Sequence, residues 1–430
     1  MKIFIVAYKF GTEKEIGEHL GTYHYFIELL RRLVGLGHEV WVIAPWLSFF
    51  KKGSNEFSGI KIQRYYPPVW NKIWAFPLNR LLNWLYLKAT QKQVLDCTKK
   101  HQPDLILVWQ ARETGYAIAK IKNKLKAPFI FRQITTWQWH FDRSIKEIFG
   151  KNGWYKFFES LKINYLIDHL VEFLLERQKE KNHALAIYQK ADKVIFVSKI
   201  AAFEAEALGL KSEKTRILPV AIETDFFKPL NKKLELKKEL GLIGDKIILF
   251  IGRINFAEKG IGYLVEALPK VLQSGIEATL VIVGGGEMAR LEKLIIDLKI
   301  KNQVVLAGKQ PFAELVKYIN ASDVFVVPSV WLETFGQVTI EAMACGVPVV
   351  TSDAGASPDI NIDGQTGFVV PAKNSEKLAE AIVKLLKDDE LREKMGRSAR
   401  ERVLNNYTYQ ATVDTLLNII NETQKTVETN

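Results

Sequence analysis

The segment Glu333-Thr-Phe-Gly-Gln-Val-Thr-Ile-Glu341 runs straight into Ala342-Met-Ala-Cys345-Gly346-Val347-Pro348-Val349-Val350. Its second half reads as a helix stopped at Gly346, a helix-ending glycine, which hands over to a strand of valines. Two carboxylates stand eight positions apart around the Phe335-Gly336 step. On an unbroken helix that interval is about two turns and would put both acids on one face. The Phe-Gly step instead places Glu333 in the loop and Glu341 inside the helix, with backbone N–H groups exposed between them. A helix start of this kind favours an anion. The acids suit a neutral partner rich in hydroxyl groups, such as a sugar or a ribose. A nucleotide sugar offers both. Taken alone, an E-x7-E pair reads more readily as a surface acid followed by a solvated helical Glu, because acids at this spacing are common by chance.

The helix-to-strand alternation continues on both sides of this segment. Downstream of residue 245, apolar runs at 246–252, 278–283, 304–307 and 323–327 are separated by helical patterns. The first half repeats the scheme, with strands expected at Ile3–Ala7, 37–43, 104–108, 128–131 and 193–197. A glycine-bearing loop (Gly11, Gly17, Gly21) leads into a helix from about Thr22 to Val34. Strands alternating with helices make parallel sheets covered on both faces. Pro219 and Pro229 interrupt the pattern, so the junction is expected there. An amphipathic helix from Tyr407 to about Glu422 follows the second sheet.

Composition agrees with two globular domains. The chain has 430 residues, 48% hydrophobic and 25% charged, long for a single core and ordinary for folded protein. No apolar run approaches the ~18 residues of a membrane span, and the opening Met1 to Ala7 lacks the form of a signal peptide. Cys97 and Cys345 stand far apart, which argues against a disulfide framework or zinc site and fits a reducing cytoplasm. The net charge of +12 is uneven: residues 1–220 hold 35 Lys and Arg against 20 Asp and Glu, and residues 221–430 hold 25 against 28. Such asymmetry points to an anionic membrane surface or to nucleic acid. No basic-aromatic RNA or DNA motif is present, so nucleic acid is not expected.

The block from Glu333 to Val350 resembles the donor-site signature of retaining GT-B-fold glycosyltransferases, specifically glycosyltransferase family 4 (glycosyl transferases group 1). The resemblance is strong from Phe250 to Leu386 and weak from about Trp46 to Ala191. It implies an α/β fold of GT-B type, two facing Rossmann-like doubly wound domains with an interdomain cleft. The domains expected are an acceptor-side domain over residues 1–218, a nucleotide-sugar-binding domain over 219–405, and a C-terminal helix over 406–430 that crosses back to the first.

Further residues carry the resemblance. Gly252-Arg253 and Lys259-Gly260 look like the family's G-R-x-x-x-K-G segment with a longer loop. Strand ends in open α/β sheets line the ligand crevice, and a guanidinium with an ammonium there can hold a departing diphosphate. The resemblance implies that Glu341 binds the ribose hydroxyls and that Glu333 binds the transferred sugar. The backbone at Phe335, Gly336 and Val338 meets the phosphates, and Gly284 of the Gly284-Gly285-Gly286 turn lies near the donor. Glu333, Arg253 and Lys259 are the expected catalytic residues. No DxD-type motif stands at a strand end, so no cofactor and no essential metal ion are expected. Gly21 matches the family's glycine loop after the first strand, although Leu20 replaces the glycine that usually precedes it. His19 and His24 follow as polar candidates for the acceptor side. The family's histidine after the 128–131 strand is missing, leaving Arg132, Gln133 and Thr135 as its possible replacements.

The activity so implied is transfer of a sugar from a nucleotide diphosphate sugar to a glycan or lipid-linked acceptor. Aromatic and cationic residues mix in 66–89 and 137–188, a composition suited to peripheral contact with an anionic membrane at its inner, cytoplasmic face, and also to ordinary helix packing. Two alternatives fit the same residues: a non-catalytic nucleotide-sugar-binding subunit of a polysaccharide assembly complex, and a GT-B-fold phosphorylase or epimerase.

Overall fold

A computed structural model describes residues 1–12, 15, 21–68, 76–109, 112–134 and 178–428. The chain divides into two compact units, Met1–Leu218 with Val413–Asn430, and Pro219–Thr412. His19 and Thr135 lie outside the described residues, as does the aromatic-cationic segment 137–177.

The first unit is built on an eight-stranded sheet in the order β3-β4-β2-β1-β5-β6-β7-β8. Its strands are β1 (Lys2–Ala7), β2 (Glu39–Pro45), β3 (Glu56–Phe57), β4 (Ile60–Tyr65), β5 (Leu105–Trp109), β6 (Phe129–Gln133), β7 (Lys193–Phe196) and β8 (Thr215–Ile217). Every pairing is parallel except β3 with β4. The central strands are buried on both faces, which explains their unbroken apolar reading. Phe4, Val6, Ile106, Val108, Phe129 and Phe131 face one core, and Ile3, Ile5, Leu105 and Leu107 point to the other side of the pleat. β4 escapes the apolar-run reading because it lies toward the sheet edge, where Lys61 is exposed between buried Ile60 and Ile62.

The second unit carries a six-stranded sheet in the order β11-β10-β9-β12-β13-β14. Its strands are β9 (Lys246–Ile251), β10 (Ala278–Val283), β11 (Val304–Gly308), β12 (Val324–Val327), β13 (Val349–Ser352) and β14 (Gly367–Val370), all paired in parallel. Chain order turns back between β9 and β12, which lie side by side. This is the switch point where the carboxyl ends of the strands leave a crevice for a ligand. Helices Ile261–Gln273 and Ser375–Lys387 pack against the sheet through Leu264, Val265, Leu268, Leu378, Ile382 and Leu385.

The last helix, Tyr409–Glu428, enters the first unit at Val413. There Glu422 pairs with Arg216 and, at 3.3 Å, with Lys193. The Arg216 contact, helped by Lys193, holds the Glu422 carboxyl down to about 2. Gln424 Nε2 donates to the Asp104 carbonyl at 3.3 Å.

Candidate functional site

The carboxyl ends of β9 and β12 gather the charged residues of the second unit. The loop that leaves β9 at Ile251 runs through Arg253 and Lys259 to Gly260, whose φ of 63° starts the helix Ile261–Gln273. The loop that leaves β12 runs through Ser329 to Glu333. Backbone hydrogen bonds from Val330 N and Trp331 N to the Glu258 carbonyl, at 3.0 and 3.2 Å, tie the two loops together. The Lys259 ammonium meets the Glu333 carboxylate directly, and Ser329 Oγ donates to the other carboxylate oxygen at 3.2 Å. Ser329 is in turn fixed by Ser352 Oγ, which donates to its carbonyl at 2.5 Å. Arg253 is exposed and pairs with Glu258 at 2.6 Å. A flexible cation at the rim and a second one against a carboxylate make a site able to receive phosphate and hydroxyl groups together.

The helix Gln337–Ala344 begins at Gly336, whose φ is 80°, and among the described residues no side chain caps it. Its first N–H groups are therefore free of side-chain partners on the side where Gly336 adjoins Glu333. Phe335 is buried, its ring edge-on to Tyr407 at 5.8 Å, which fixes the entry to the helix. Val338, in the first turn, is half-buried. Glu341 is only 4% exposed and accepts a hydrogen bond from Gln337 Nε2 at 3.1 Å. Burial pushes its carboxyl up to about 7, the Gln337 bond opposing part of that shift.

Gly284 follows β10 with φ 147°, and a Cβ there would fall 1.8 Å from the Gly252 carbonyl. Only a glycine allows this approach, which sets Gly284 beside the root of the Arg253 loop. The structure thus joins Lys259 directly to Glu333 and places Arg253 and Gly284 on the same strand ends. Glu341 sits deeper, inside the helix. Ser329, Glu258 and Gln337 were not found by reading the sequence. Gln337 carries a usable signal, the i, i+4 spacing to Glu341; Ser329 lies in a loop without periodicity.

In the first unit, Gly21 opens the helix Gly21–Gly35, which also contains His24. Arg132 and Gln133 end β6. Gln133 accepts a hydrogen bond from the Tyr188 hydroxyl at 2.9 Å, and Arg132 is wholly buried.

Comparison with known proteins places this geometry in a family. The profile of the family described as glycosyltransferase family 4 matches residues 21–226, and that of glycosyl transferases group 1 matches residues 232–402. An uncharacterized glycosyltransferase of Methanocaldococcus jannaschii is 33% identical over 241 residues, 55% of this chain and 61% of its own. Phosphatidyl-myo-inositol mannosyltransferase of Mycobacterium leprae is 38% identical over 162 residues, 37% of this chain and 42% of its own. The chain spans about half the length of the curated relatives it matches. Among solved structures, sucrose-phosphate synthase from Thermosynechococcus elongatus superposes with a TM-score of 0.71 at 20% identity, covering 98% of each chain. HepE of Anabaena in complex with UDP superposes at 0.70 and 16% identity, covering 98% of this chain and 100% of that one. These likenesses establish the two-domain α/β fold of GT-B type. The two profiles, which between them take in both units, show that the chain belongs to the group 1, family 4 glycosyltransferases.

Proposed function

We propose that this glycosyltransferase is a retaining enzyme, which moves a sugar from a nucleotide diphosphate sugar to a glycan or lipid-linked acceptor. The contact between Lys259 and Glu333 at the β9/β12 switch point carries the reading. When donor binds, Lys259 and Arg253 turn to the diphosphate and Glu333 is released to the hydroxyls of the sugar. The N–H groups after Gly336 receive phosphate oxygen, with Gly284, Phe335 and Val338 shaping the approach, and Glu341 takes the ribose hydroxyls. The bond from the anomeric carbon to the diphosphate then breaks as the acceptor oxygen arrives on the same face. The leaving diphosphate oxygen takes the acceptor's proton. Arg253 and Lys259 stabilise the charge that develops on it, so catalysis is positioning and electrostatics without a metal ion.

HepE has been solved with UDP-glucose bound, and two relatives are named as mannosyltransferases acting on phosphatidylinositol or its monomannoside. HepE's ligand and the GDP-mannose-dependent relative's name support a nucleotide-sugar donor, and the two phosphatidylinositol names support a lipid-linked acceptor. No helix among the described residues is long and apolar enough to cross a membrane. A lipid acceptor would be met at a bilayer surface, and exposed Leu81, Trp84 and Leu85 with Lys88 over the Trp84 ring are suited to that contact.

Screening UDP-, GDP- and ADP-sugars by thermal stabilisation tests the donor site. A ligand at a hundred times its dissociation constant stabilises by ~2.7 kcal/mol. The matching nucleoside diphosphate, without sugar, should bind at least tenfold more weakly to Glu341→Ala. Equal calorimetric affinity in both proteins would remove Glu341 from the ribose. Arg253→Ala should lose tenfold or more in turnover at unchanged melting temperature, since a charge-assisted contact contributes about 1.5–3 kcal/mol.

A further inference from the structure

Arg132 is the largest fully buried side chain in the described structure. It follows the buried apolar run Phe129-Ile130-Phe131 of β6, and it sits in register with Trp109 of β5 at the carboxyl end of the first sheet. Its guanidinium lies over the Trp109 ring, 4.1 Å from the centroid, and 5.2 Å from the centre of the Tyr25 ring. Nη2 donates to the Tyr25 hydroxyl at 3.3 Å, while Nε and Nη1 have no hydrogen-bond partner among the described residues. Among the described residues no carboxylate pairs with it.

A guanidinium has five N–H donors and stays charged under all physiological conditions. Buried charges are ordinarily paired, because aromatic faces return only part of the lost hydration. The rows flanking Arg132 obey the pattern of a two-sided buried strand, with Ile130 on its own face and Phe131 on the other. A charge placed there breaks the local rule without a partner in the fold, and such breaks mark functional sites. The position is also the one where open α/β sheets take ligands: beside the switch point, where β1 and β5 pair and the order of strands reverses.

We infer that Arg132 is the receptor for an anionic group, a phosphate or carboxylate, on the second substrate of the transfer. The inference rests on the transferase reading in one respect: the donor groups named above all belong to the other unit, which leaves this anion to the acceptor. Trp109 and Tyr25 act as a clamp, holding the guanidinium plane so that its free N–H groups are already aimed when the anion enters. A neutral acceptor would leave those donors unpaired, so the site selects against it.

The test uses the full chain saturated with the nucleoside diphosphate that stabilises it best, so that the donor's phosphate positions are filled. Inorganic phosphate is titrated against chloride at equal ionic strength, and melting temperature is read. Saturable stabilisation is expected in the wild type, at least tenfold weaker apparent affinity in Arg132→Lys, and no response in Arg132→Met. The ligand-free Arg132→Met protein should melt no lower than wild type, because it loses an uncompensated buried charge. If Arg132→Met does not fold, the lysine variant alone decides. A soluble sugar phosphate and a phosphoinositide in micelles, each set against its neutral counterpart, then separate a free phosphate ester from a lipid headgroup as the source. Equal phosphate responses in wild type and both variants would overturn the inference, as would loss of nucleoside diphosphate affinity in Arg132→Met, which would assign the guanidinium to the donor. If no nucleotide binds at all, the transferase reading fails, and the phosphate titration without nucleotide still decides the anion site.

Discussion

Glu341 shows how a single side chain of the proposed donor site bears on the stability of its unit. Its helix places it almost wholly out of water, with one hydrogen bond from Gln337, and its carboxyl is raised to about 7. In the unfolded chain a glutamate titrates near 4.3. Between those values the folded protein holds a proton that the unfolded chain has released, so stability falls as pH rises through the window and levels off above about 7. The buried carboxylate present at neutral pH is thus a standing cost, on the order of 3 kcal/mol for this shift. Glu341→Gln keeps an acceptor for Gln337 and removes the titration. Relative to wild type, the variant should gain stability steadily from pH 5 to about pH 7 and hold that gain above it in urea unfolding. A difference that stays constant over that range would show that Glu341 is not the group being titrated. Ribose hydroxyls reaching Glu341 would repair the same deficit, which gives the acid a reason to be buried where it is.

At the scale of elements, the site depends on loops that clasp each other's backbone. Gly355, with φ 64°, lies after β13, and a Cβ there would fall 2.3 Å from both the N and the O of Glu333. The neighbouring Ala356 N donates to the Glu333 carbonyl at 2.8 Å. Gly355→Ala should therefore shift the Glu333 loop, lowering both stability and donor affinity. Gly364→Ala is the control: its φ of 72° is equally left-handed, but nothing lies within 4 Å. That variant should lose only about 1–2 kcal/mol of stability and bind donor as wild type does. Equal donor affinity in the two variants would show that the Gly355 contact does not position Glu333. None of this clasp was legible in the sequence, because it joins backbone atoms of separate loops. The strands were legible: buried parallel strands read as apolar runs, and those of β1, β10 and β12 fall within a residue of expectation. β3, β4, β8 and β14 were not assigned, being short or amphipathic. The helix start between Glu333 and Glu341 was legible from the Phe-Gly step. The isolation of Arg132 was not, since Tyr25 stands 107 residues away from it.

The whole molecule carries its charge on one unit. Residues 1–220 hold the entire basic excess, and Lys51, Lys52, Lys88 and Lys92 are exposed on that unit. Phe50 on the same stretch is 99% exposed, and Leu81 and Trp84 lie open near Lys88. Single exposed apolar residues need no explanation, but rings beside cations suit the headgroup layer of an anionic bilayer. Each Lys or Arg near such a surface contributes about 1 kcal/mol, and the attraction is screened within about 10 Å at 0.1 M salt. Binding to anionic but not zwitterionic vesicles is therefore expected at low salt, reversed by high salt. Changing Lys51, Lys52, Lys88 and Lys92 together to Glu reverses four charges and should abolish it. Trp84→Ala should weaken the salt-resistant remainder, because that part comes from apolar insertion rather than from charge. Nucleotide affinity in the second unit should not change in either protein, which separates surface attachment from a folding defect. If the wild-type protein ignores anionic vesicles at low salt, the acceptor is soluble, and the basic surface serves only to draw in the anionic group that Arg132 awaits.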